Sequence, residues 1–227
     1  MDKVLIIASH PDDEVLGCGG LISKQKKRGS DVRILFLGEG SSCRFDNIED
    51  KEAIAAIKYR QTCAKKALEF LGIKEYYFND LPCGRFDTIP IIEINKLIEK
   101  KIEEFRPDSV FTHSLNDANS DHRITFQSTL MSTRPGALNS VKSVFSYEVL
   151  SSSEWNFSSS FLPNYFLELE EDDLTTKIEA MKFYDTETKP YPFPRSSEGI
   201  KTQAMMRGMQ GGFKLAEAFQ LIRKLKK

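Results

Sequence analysis

The sequence predicts an α/β protein with a Rossmann-like, three-layer αβα arrangement and a mostly parallel β-sheet. Over the first two thirds of the 227-residue chain, short apolar runs typical of buried strands alternate with longer segments of helical periodicity. The segments between successive runs are long enough for a single helix, which is the connection that parallel strands require. Two of the apolar runs end directly in polar motifs, at the place where α/β proteins build their sites.

The elements of the predicted core follow one another in a regular order. The first strand spans Lys3–Ala8, which is almost wholly apolar after its lysine. A helix over Glu14–Gly29 follows, and its final glycine is a residue that commonly ends helices. The longest helix is predicted from about Glu49 to Leu71, where apolar residues recur at helical spacing, and Gly72 ends it. The other core elements are strands at Asp31–Leu37, Tyr76–Phe78 and Ser109–Thr112, a loop at Asn79–Asp87, and helices at Pro90–Phe105 and Ile124–Ser132.

The pattern changes after Arg134-Pro135-Gly136. We therefore predict a single domain over 1–227 that consists of a Rossmann-like core (1–136) and a C-terminal strand and helix extension (137–227). The segment Lys189–Pro194 has a proline at every second position, which excludes both a helix and a central strand. The elements predicted in the extension are strands at Ser143–Val149 and Tyr165–Leu169, and helices at about Asp172–Asp185 and Ser197–Leu225.

Charge and cysteine usage argue against several classes of function. The 32 basic and 33 acidic residues leave a net charge of −1, which gives no electrostatic reason to expect a nucleic acid partner. The basic run Arg223–Lys227 is interpreted as the end of a helix, where cations complement the dipole. The apolar run after Met1-Asp2-Lys3 is too short for a signal sequence or a membrane span. The cysteines form no CxxC pair, so we expect free thiols in a reducing cytoplasm: Cys18, Cys43, Cys63 and Cys83.

The first polar motif follows the first strand and reads Ser9-His10-Pro11-Asp12-Asp13-Glu14. An imidazole and a carboxylate three residues apart, as in His10 and Asp13, can bind the same metal ion. The adjacent carboxylate of Asp12 then remains available to accept a proton. This motif therefore predicts a metal centre with a general base beside it.

The second polar motif, at residues 111–123, contains the other two of the chain's three histidines, His113 and His122. Loops at the carboxyl ends of parallel strands converge, which would bring His122 to the first motif. A catalytic zinc site commonly has three protein ligands and an open position for water, and His10, Asp13 and His122 meet that count. The ion would lower the pKa of this water, and the general base would take its proton.

Each of these residues also has a purely structural interpretation. Asp12 or Asp13 would cap the helix that follows them. Asp121 would cap the next helix or orient a metal ligand, and a single histidine such as His113 is more often a buried, hydrogen-bonded residue. We favour the metal site because two strand-end motifs together contain every histidine of the chain. The glycines of Gly17-Cys18-Gly19-Gly20 fall inside a predicted helix and form no dinucleotide-binding pattern.

With these two motifs the sequence resembles the PIG-L, or LmbE-like, zinc-dependent N-deacetylases. The opening signature of that family, a strand followed by HPDDE and a glycine-containing helix, corresponds to His10–Gly20, and its second signature corresponds to Asp121-His122-Arg123. The resemblance also implies that Arg60, in the long second helix, binds hydroxyl or phosphate groups of the substrate, whereas its structural alternative is a salt bridge. We expect Arg44 and Asp121 as further substrate contacts. The zinc ligands that the resemblance implies are His10, Asp13 and His122, with Asp12 as the general base.

The chain departs from the family at one position. The family often has HPDH where this sequence has Asn119-Ser120-Asp121-His122. Asn119 can donate a hydrogen bond to an oxyanion, but it cannot deliver a proton. Either His113 has taken over as the general acid, or it braces the loop through a hydrogen bond to a carboxylate such as Asp117. We favour bracing, which leaves both proton transfers to Asp12.

The function expected from the residues and the resemblance is hydrolysis of the N-acetyl group of an amino sugar, which is a glycan precursor, a nucleotide sugar or a glycoconjugate. Zn²⁺ is the expected cofactor, and Fe²⁺ suits the same ligands. One alternative is an amidase for a non-sugar or thiol-conjugate amide. A second is a non-catalytic, metal-containing sugar-binding protein, against which the intact Asp12 argues. The resemblance also implies a homo-oligomer, a trimer or a hexamer.

Overall fold

The computed structural model describes residues 1–136 and 141–226. In this part of the chain, seven β-strands form one sheet and six α-helices flank it. The elements along the chain are β1 (Lys3–Ala8), α1 (Asp13–Lys27), β2 (Asp31–Gly38), α2 (Lys51–Phe70), β3 (Tyr76–Leu81), α3 (Ile91–Phe105), β4 (Ser109–Thr112), α4 (Ser120–Ser132), β5 (Ser143–Tyr147), β6 (Tyr165–Glu168), α5 (Glu171–Met181), α6 (Ser197–Gly211) and β7 (Ala216–Lys224).

The sheet has the strand order β3-β2-β1-β4-β5-β7-β6 and is mostly parallel. Strands β1 to β5 run parallel to one another, whereas β7 is antiparallel to both β5 and β6. Strand β1 lies at the centre of the parallel part and is buried on both faces from Val4 to Ala8. Burial on both faces explains its continuous apolar sequence. The predicted α/β class and the parallel core are confirmed.

Alternate residues of β1 enter two hydrophobic clusters, one on each face of the sheet. Val4 and Ile6 pack with apolar residues of α1, α2, α5 and α6. Leu5 and Ile7 pack on the opposite face with residues of α3, and the partly buried Ile124 of α4 packs against the same cluster. The three layers follow from this division, since each face of the sheet buries one set of side chains.

The predicted C-terminal helix Ser197–Leu225 is wrong in its second half. Helix α6 ends at Gly211, and Gly212 has a φ of +76°, a left-handed conformation that ends helices. The chain then forms β7, which is inserted between β5 and β6. The basic residues Arg223 and Lys224 consequently end a strand rather than a helix, and Lys227 lies outside the described residues.

Smaller differences concern element boundaries. Strand β3 extends to Leu81, into the segment predicted as a loop, and α4 begins at Ser120 rather than Ile124. The boundary predicted between residues 136 and 137 adjoins residues 137–140, which lie outside the described part of the chain. Strands from the expected extension join the same sheet as the core strands. No helix in the described residues is both long enough and apolar enough to cross a membrane.

Candidate active site

The two polar motifs meet because β1 and β4 are adjacent parallel strands. The loops that leave their carboxyl ends therefore lie at the same edge of the sheet. His10 and Asp13 come from the loop after β1 and the start of α1, and His122 comes from the first turn of α4. All three side chains are buried, and their donor atoms lie within 4.8 Å of one another.

The carboxylate of Asp13 stands between the two imidazoles. Its Oδ2 atom is 3.6 Å from Nδ1 of His10 and 3.4 Å from Nε2 of His122. The same oxygen accepts a hydrogen bond of 2.8 Å from the backbone N–H of His10. Two imidazole nitrogens and one carboxylate oxygen thus face a common point, which is a donor set that suits Zn²⁺ or Fe²⁺.

Each of the two imidazoles has a carboxylate beside its other nitrogen. Nε2 of His10 is 3.0 Å from Oδ2 of Asp121, and Nδ1 of His122 is 3.2 Å from Oδ1 of Asp117. Metal-binding histidines commonly have such partners, which fix the tautomer and leave the other nitrogen to the metal. The arrangement fits His10 as a ligand through Nδ1 and His122 as a ligand through Nε2.

The charges of this cluster are strongly coupled. Burial disfavours the charged form of His122, but Asp13 and Asp117 outweigh it and raise the pKa of His122 to about 10. Burial likewise opposes ionisation of Asp13, yet the charge of His122 holds the pKa of Asp13 well below its usual range. The site therefore stabilises positive charge between two buried carboxylates, which is the electrostatic environment that a divalent cation requires.

Asp12 has a backbone conformation that is rare for a non-glycine residue, with φ +117° and ψ −27°. Such conformations are strained, and they cluster at functional sites. Its N–H donates to Oε2 of Glu14 at 2.9 Å, and the Tyr184 hydroxyl donates to the other oxygen of Glu14 at 2.5 Å. The side chain of Asp12 makes no capping hydrogen bond, so the capping interpretation is not realised there.

The Asp12 carboxylate is almost fully buried and is held by two guanidinium groups. Its Oδ2 atom is 3.0 Å from Nη2 of Arg60 and 2.5 Å from Nη1 of Arg195. Burial raises the pKa of Asp12, although the charges of Arg60 and Arg195 lower it. Asp12 is therefore a positioned carboxylate with increased proton affinity beside the candidate ligands, as a general base requires.

Glu187 connects the arginines into one network. Both of its oxygens accept from Arg44 at 2.8 Å, and it also forms an ion pair with Arg60. Arg60 is buried, and its Nε donates to the carbonyl of Pro11 at 2.7 Å. The salt-bridge alternative for Arg60 is thus realised, with the candidate base itself as one partner. Arg44 is half-exposed at the rim of this network.

The expected hydrogen bond between His113 and Asp117 is not formed, and the carboxylate nearest to His113 is Asp13, whose Oδ2 is 3.4 Å from Nε2 of His113. The same Nε2 atom accepts from the Ser9 N–H at 2.9 Å, and the His113 ring stacks on His122 with centroids 3.9 Å apart. Burial and the charge of His122 lower the pKa of His113 to about 4, which keeps the ring neutral. The Asp117 carboxylate instead interacts with His122, the hydroxyls of two serines and the Asn119 N–H. His113 therefore joins the two motif loops through a backbone group.

The contacts of Asn119 and Asp121 differ from the oxyanion and substrate contacts expected for them. The Oδ1 atom of Asn119 accepts from the Asp121 N–H at 2.9 Å, so Asn119 caps α4. The carboxylate of Asp121 is fully buried and accepts from the N–H groups of Gly84 and Phe86 as well as facing His10. This geometry favours orientation of His10 over contact with a substrate.

Three functional candidates were not identified from the sequence as site residues. Arg195 lies in the segment after Lys189–Pro194, where the proline pattern indicates a loop but no partner. Glu187 reaches the site only through contacts that no local pattern encodes, whereas Asp117 lies within the second motif but was expected beside His113 rather than His122. The signals that were available are the arginine directly after the prolines and the aspartate within the second motif.

The parallel sheet, with histidines and carboxylates at its carboxyl edge, defines an α/β protein with a candidate metal centre. Residues 5–132 match the PIG-L family, described as GlcNAc-PI de-N-acetylase. Because the match covers more than half of the chain, the chain belongs to the PIG-L family. The resemblance identified from the two motifs is confirmed.

Relatives of the chain include a diacetylchitobiose deacetylase from Thermococcus kodakarensis, which is 25% identical over 97% of this chain and 83% of the relative. The fold is similar to that of N,N'-diacetylchitobiose deacetylase from Pyrococcus horikoshii, with a TM-score of 0.78 and 23% identity over 98% of this chain and 84% of that one. It is also similar to 4-carboxy-2-hydroxymuconate hydratase from Pseudomonas putida KT2440, with a TM-score of 0.76 and 21% identity over 100% and 98% of the two chains. Since these names denote different reactions, the fold by itself does not define the chemistry.

Proposed function

We propose that the protein is a metal-dependent hydrolase that removes the N-acetyl group from an N-acetylated amino sugar. The observation that carries the proposal is the convergence of His10, Asp13 and His122 on one point beside the strained and buried Asp12. The family membership and the diacetylchitobiose deacetylase among the relatives support an acetamide as the reacting group. Zn²⁺ is the proposed ion, and Fe²⁺ is the second choice.

The chain's own residues supply the proton chemistry. A divalent ion, when bound, would supply Lewis-acid activation of water and of the acetamide carbonyl. Asp12 accepts the proton of the attacking water and then donates it to the departing amine, so that acetate and a free amino sugar result. Arg60 and Arg195 hold the Asp12 carboxylate in place during both transfers. Asn119 uses its Oδ1 to cap α4, and we assign its NH₂ group to the oxyanion.

Acetate release from a panel of N-acetylated sugars tests this function. We expect release from free, nucleotide-linked or glycoconjugate forms of N-acetylglucosamine, and none after chelation of the metal. Release from N-acetylated thiol conjugates alone would instead favour the amidase alternative. Tight sugar binding without any acetate would favour the non-catalytic sugar-binding protein. The same proposal includes a cytoplasmic location and a homo-oligomer, a trimer or a hexamer. Sedimentation of the active protein tests the oligomeric state.

Replacing Arg60 by alanine is expected to destabilise the fold as well as the site. The change leaves Asp12 and Glu187 as buried carboxylates that have lost a guanidinium partner. Breaking a buried ion pair in this way costs about 3–5 kcal/mol of unfolding free energy, which denaturant titration measures.

Arg44→Ala is the matched control, because half-exposed Arg44 can be removed without breaking those buried pairs. It should raise KM and leave the unfolding midpoint nearly unchanged. Equal stability of the two variants would contradict the structural role of Arg60.

Replacing His113 by glutamine is expected to preserve substantial activity. The glutamine carbonyl can accept the Ser9 N–H in place of the imidazole nitrogen. If His113 only braces the two loops, the shape of the profile of kcat against pH stays unchanged. Loss of the alkaline limb, with metal content intact, would show instead that His113 is the general acid.

A further inference from the structure

Two thiols meet beside the candidate metal centre without a role in the proposed hydrolysis. Cys43 lies in the loop that follows β2, and Cys83 lies in the loop that follows β3. Their Sγ atoms are 3.1 Å apart, and the Cys83 thiol donates to the Cys43 sulfur. Both cysteines are reduced in the structure. The other two cysteines, Cys18 and Cys63, are buried in the hydrophobic cluster that contains α1 and α2.

One buried carboxylate holds the two cysteine loops together. Glu39 is only 4% exposed, and its Oε2 accepts from the backbone N–H groups of Ser41 and Ser42 at 2.6 and 2.9 Å. Its Oε1 accepts from the N–H of Cys83 at 2.7 Å. The residues next to Cys43 and the backbone of Cys83 thus share one anchor. The proximity of the thiols is therefore built into the loops and does not depend on the thiols themselves.

The two thiols differ in access and in reactivity. Cys43 is exposed, whereas Cys83 is 7% exposed. The hydrogen bond from Cys83, together with the charge of Arg44, lowers the pKa of Cys43 to about 6, although partial burial opposes this shift. Thiolates are the nucleophilic form of cysteine. Cys43 is accordingly placed to meet a reagent from solvent, and Cys83 is placed to react second.

A short series of contacts leads from Cys83 to the metal site. The N–H of the next residue, Gly84, donates to Oδ2 of Asp121 at 2.6 Å. The same oxygen is 3.0 Å from Nε2 of His10. Asp121 is the carboxylate that orients His10, so a movement of Cys83 and Gly84 acts directly on the orientation of a candidate ligand. Such outer partners commonly change metal affinity by ~10–100-fold when they are removed.

We propose that Cys43 and Cys83 are a modification site, an oxidisable dithiol whose disulfide weakens metal binding by displacing Gly84 from Asp121. The disulfide requires the two sulfur atoms to approach more closely than they do in the reduced pair. The Gly84 N–H belongs to the peptide unit that joins it to Cys83, so a shift of Cys83 toward Cys43 changes the hydrogen bond from Gly84 to Asp121. The effect on metal binding rests on the proposed function, whereas the dithiol pair itself does not.

The reaction is a thiol–disulfide exchange with a low-molecular-weight disulfide. The Cys43 thiolate attacks one sulfur of that reagent, forms a mixed disulfide and releases one thiolate. The Cys83 thiol then loses its proton to solvent and attacks the Cys43 sulfur, which releases the second reagent thiolate. The protein loses two electrons and two protons in all, and the reagent accepts them and is reduced to two thiols.

The experiment treats the metal-loaded protein with glutathione disulfide and maps its peptides without reduction. We expect a Cys43–Cys83 cross-linked peptide, a mass lower by two hydrogen atoms, and loss of two of the four free thiols. Dithiothreitol should reverse all three changes. The metal dissociation constant, measured by competition with a chelator, should rise ~10-fold or more in the oxidised protein.

Variants separate the parts of the proposal. Cys83→Ser should stop at the mixed disulfide on Cys43 and keep its metal affinity, whereas Cys63→Ser, the control, should behave as the wild type. Mixed disulfides without any cross-link in the wild type would overturn the dithiol site. A cross-link that leaves metal affinity unchanged would overturn the coupling of the disulfide to Asp121.

If reduced Cys83→Ser binds one metal ion fewer than the wild type, the Cys83 thiol is a metal ligand together with His10 and Asp121, and the proposal is wrong. Absence of metal or acetate release in the reduced wild type would count against the proposed function alone.

Discussion

Asp12→Asn is expected to lower kcat by ~100-fold or more while the metal content stays unchanged. The substitution removes the basic oxygen and preserves the size of the side chain. Asparagine also tolerates the left-handed backbone conformation that Asp12 adopts, with φ +117°. The turn between β1 and α1 should therefore keep its geometry, and the loss should come from proton transfer. Steady-state kinetics and elemental analysis of the same preparation provide the measurement.

The neighbouring carboxylate offers the matched control for this result. Asp13→Asn makes the same chemical change one residue away, but Asp13 faces both candidate imidazole ligands. We expect that variant to lose metal, and its activity should return in part at high metal concentration. Activity of Asp12→Asn that recovers with added metal would show that the roles of the two aspartates are exchanged. Unfolding midpoints of both variants establish that the comparison is made between folded proteins.

The core and the candidate ligands could be predicted from sequence because both depend on local patterns. The apolar run of β1 and the polar motif that follows it are contiguous, so the strand and the position of His10 at its end are visible together. Adjacent parallel strands place their carboxyl ends at one edge, so His122 could be assigned to the same site from a distant segment. The prediction of the candidate ligands therefore needed only strand assignment and residue chemistry.

Strand β7 could not be predicted in this way because its local preference is helical. The stretch Leu215-Ala216-Glu217-Ala218 consists of strong helix formers. It becomes a strand because it fills the position between β5 and β6. There, the carboxylate of Glu217 accepts from the N–H groups of Gly20 and Leu21 and from Lys177. These are tertiary contacts, and they override intrinsic propensity without leaving a periodic signal.

The residues that contact Asp12, the candidate general base, could not be predicted for a related reason. Arg195 contacts Asp12 although the two residues are 183 positions apart in the chain. Glu187 contacts both Arg44 and Arg60, which lie in two separate segments. Charged residues of this kind lie on most protein surfaces, so their sequence positions do not reveal which of them become buried. The position of Asp12, the candidate base, at the end of β1 could be read from the sequence, whereas the groups that contact it required the folded chain.

The other large effect is expected at the ligands themselves. Conversion of His122 to alanine should reduce the metal content to a small fraction of one ion per chain, since Asp13 and His10 alone leave too few donors for tight binding. Asp117→Asn, which changes only the partner of His122 Nδ1, should retain the ion with an affinity lower by ~10–100-fold. The control is His113→Gln, because His113 is an equally buried imidazole that stacks on His122 at 3.9 Å. It should bind metal as the wild type does. Full metal content in His122→Ala, or an equal loss of metal in His113→Gln, would contradict the ligand assignment. If His122 is a ligand, metal is lost because a donor nitrogen is removed, and not because a buried ring is removed.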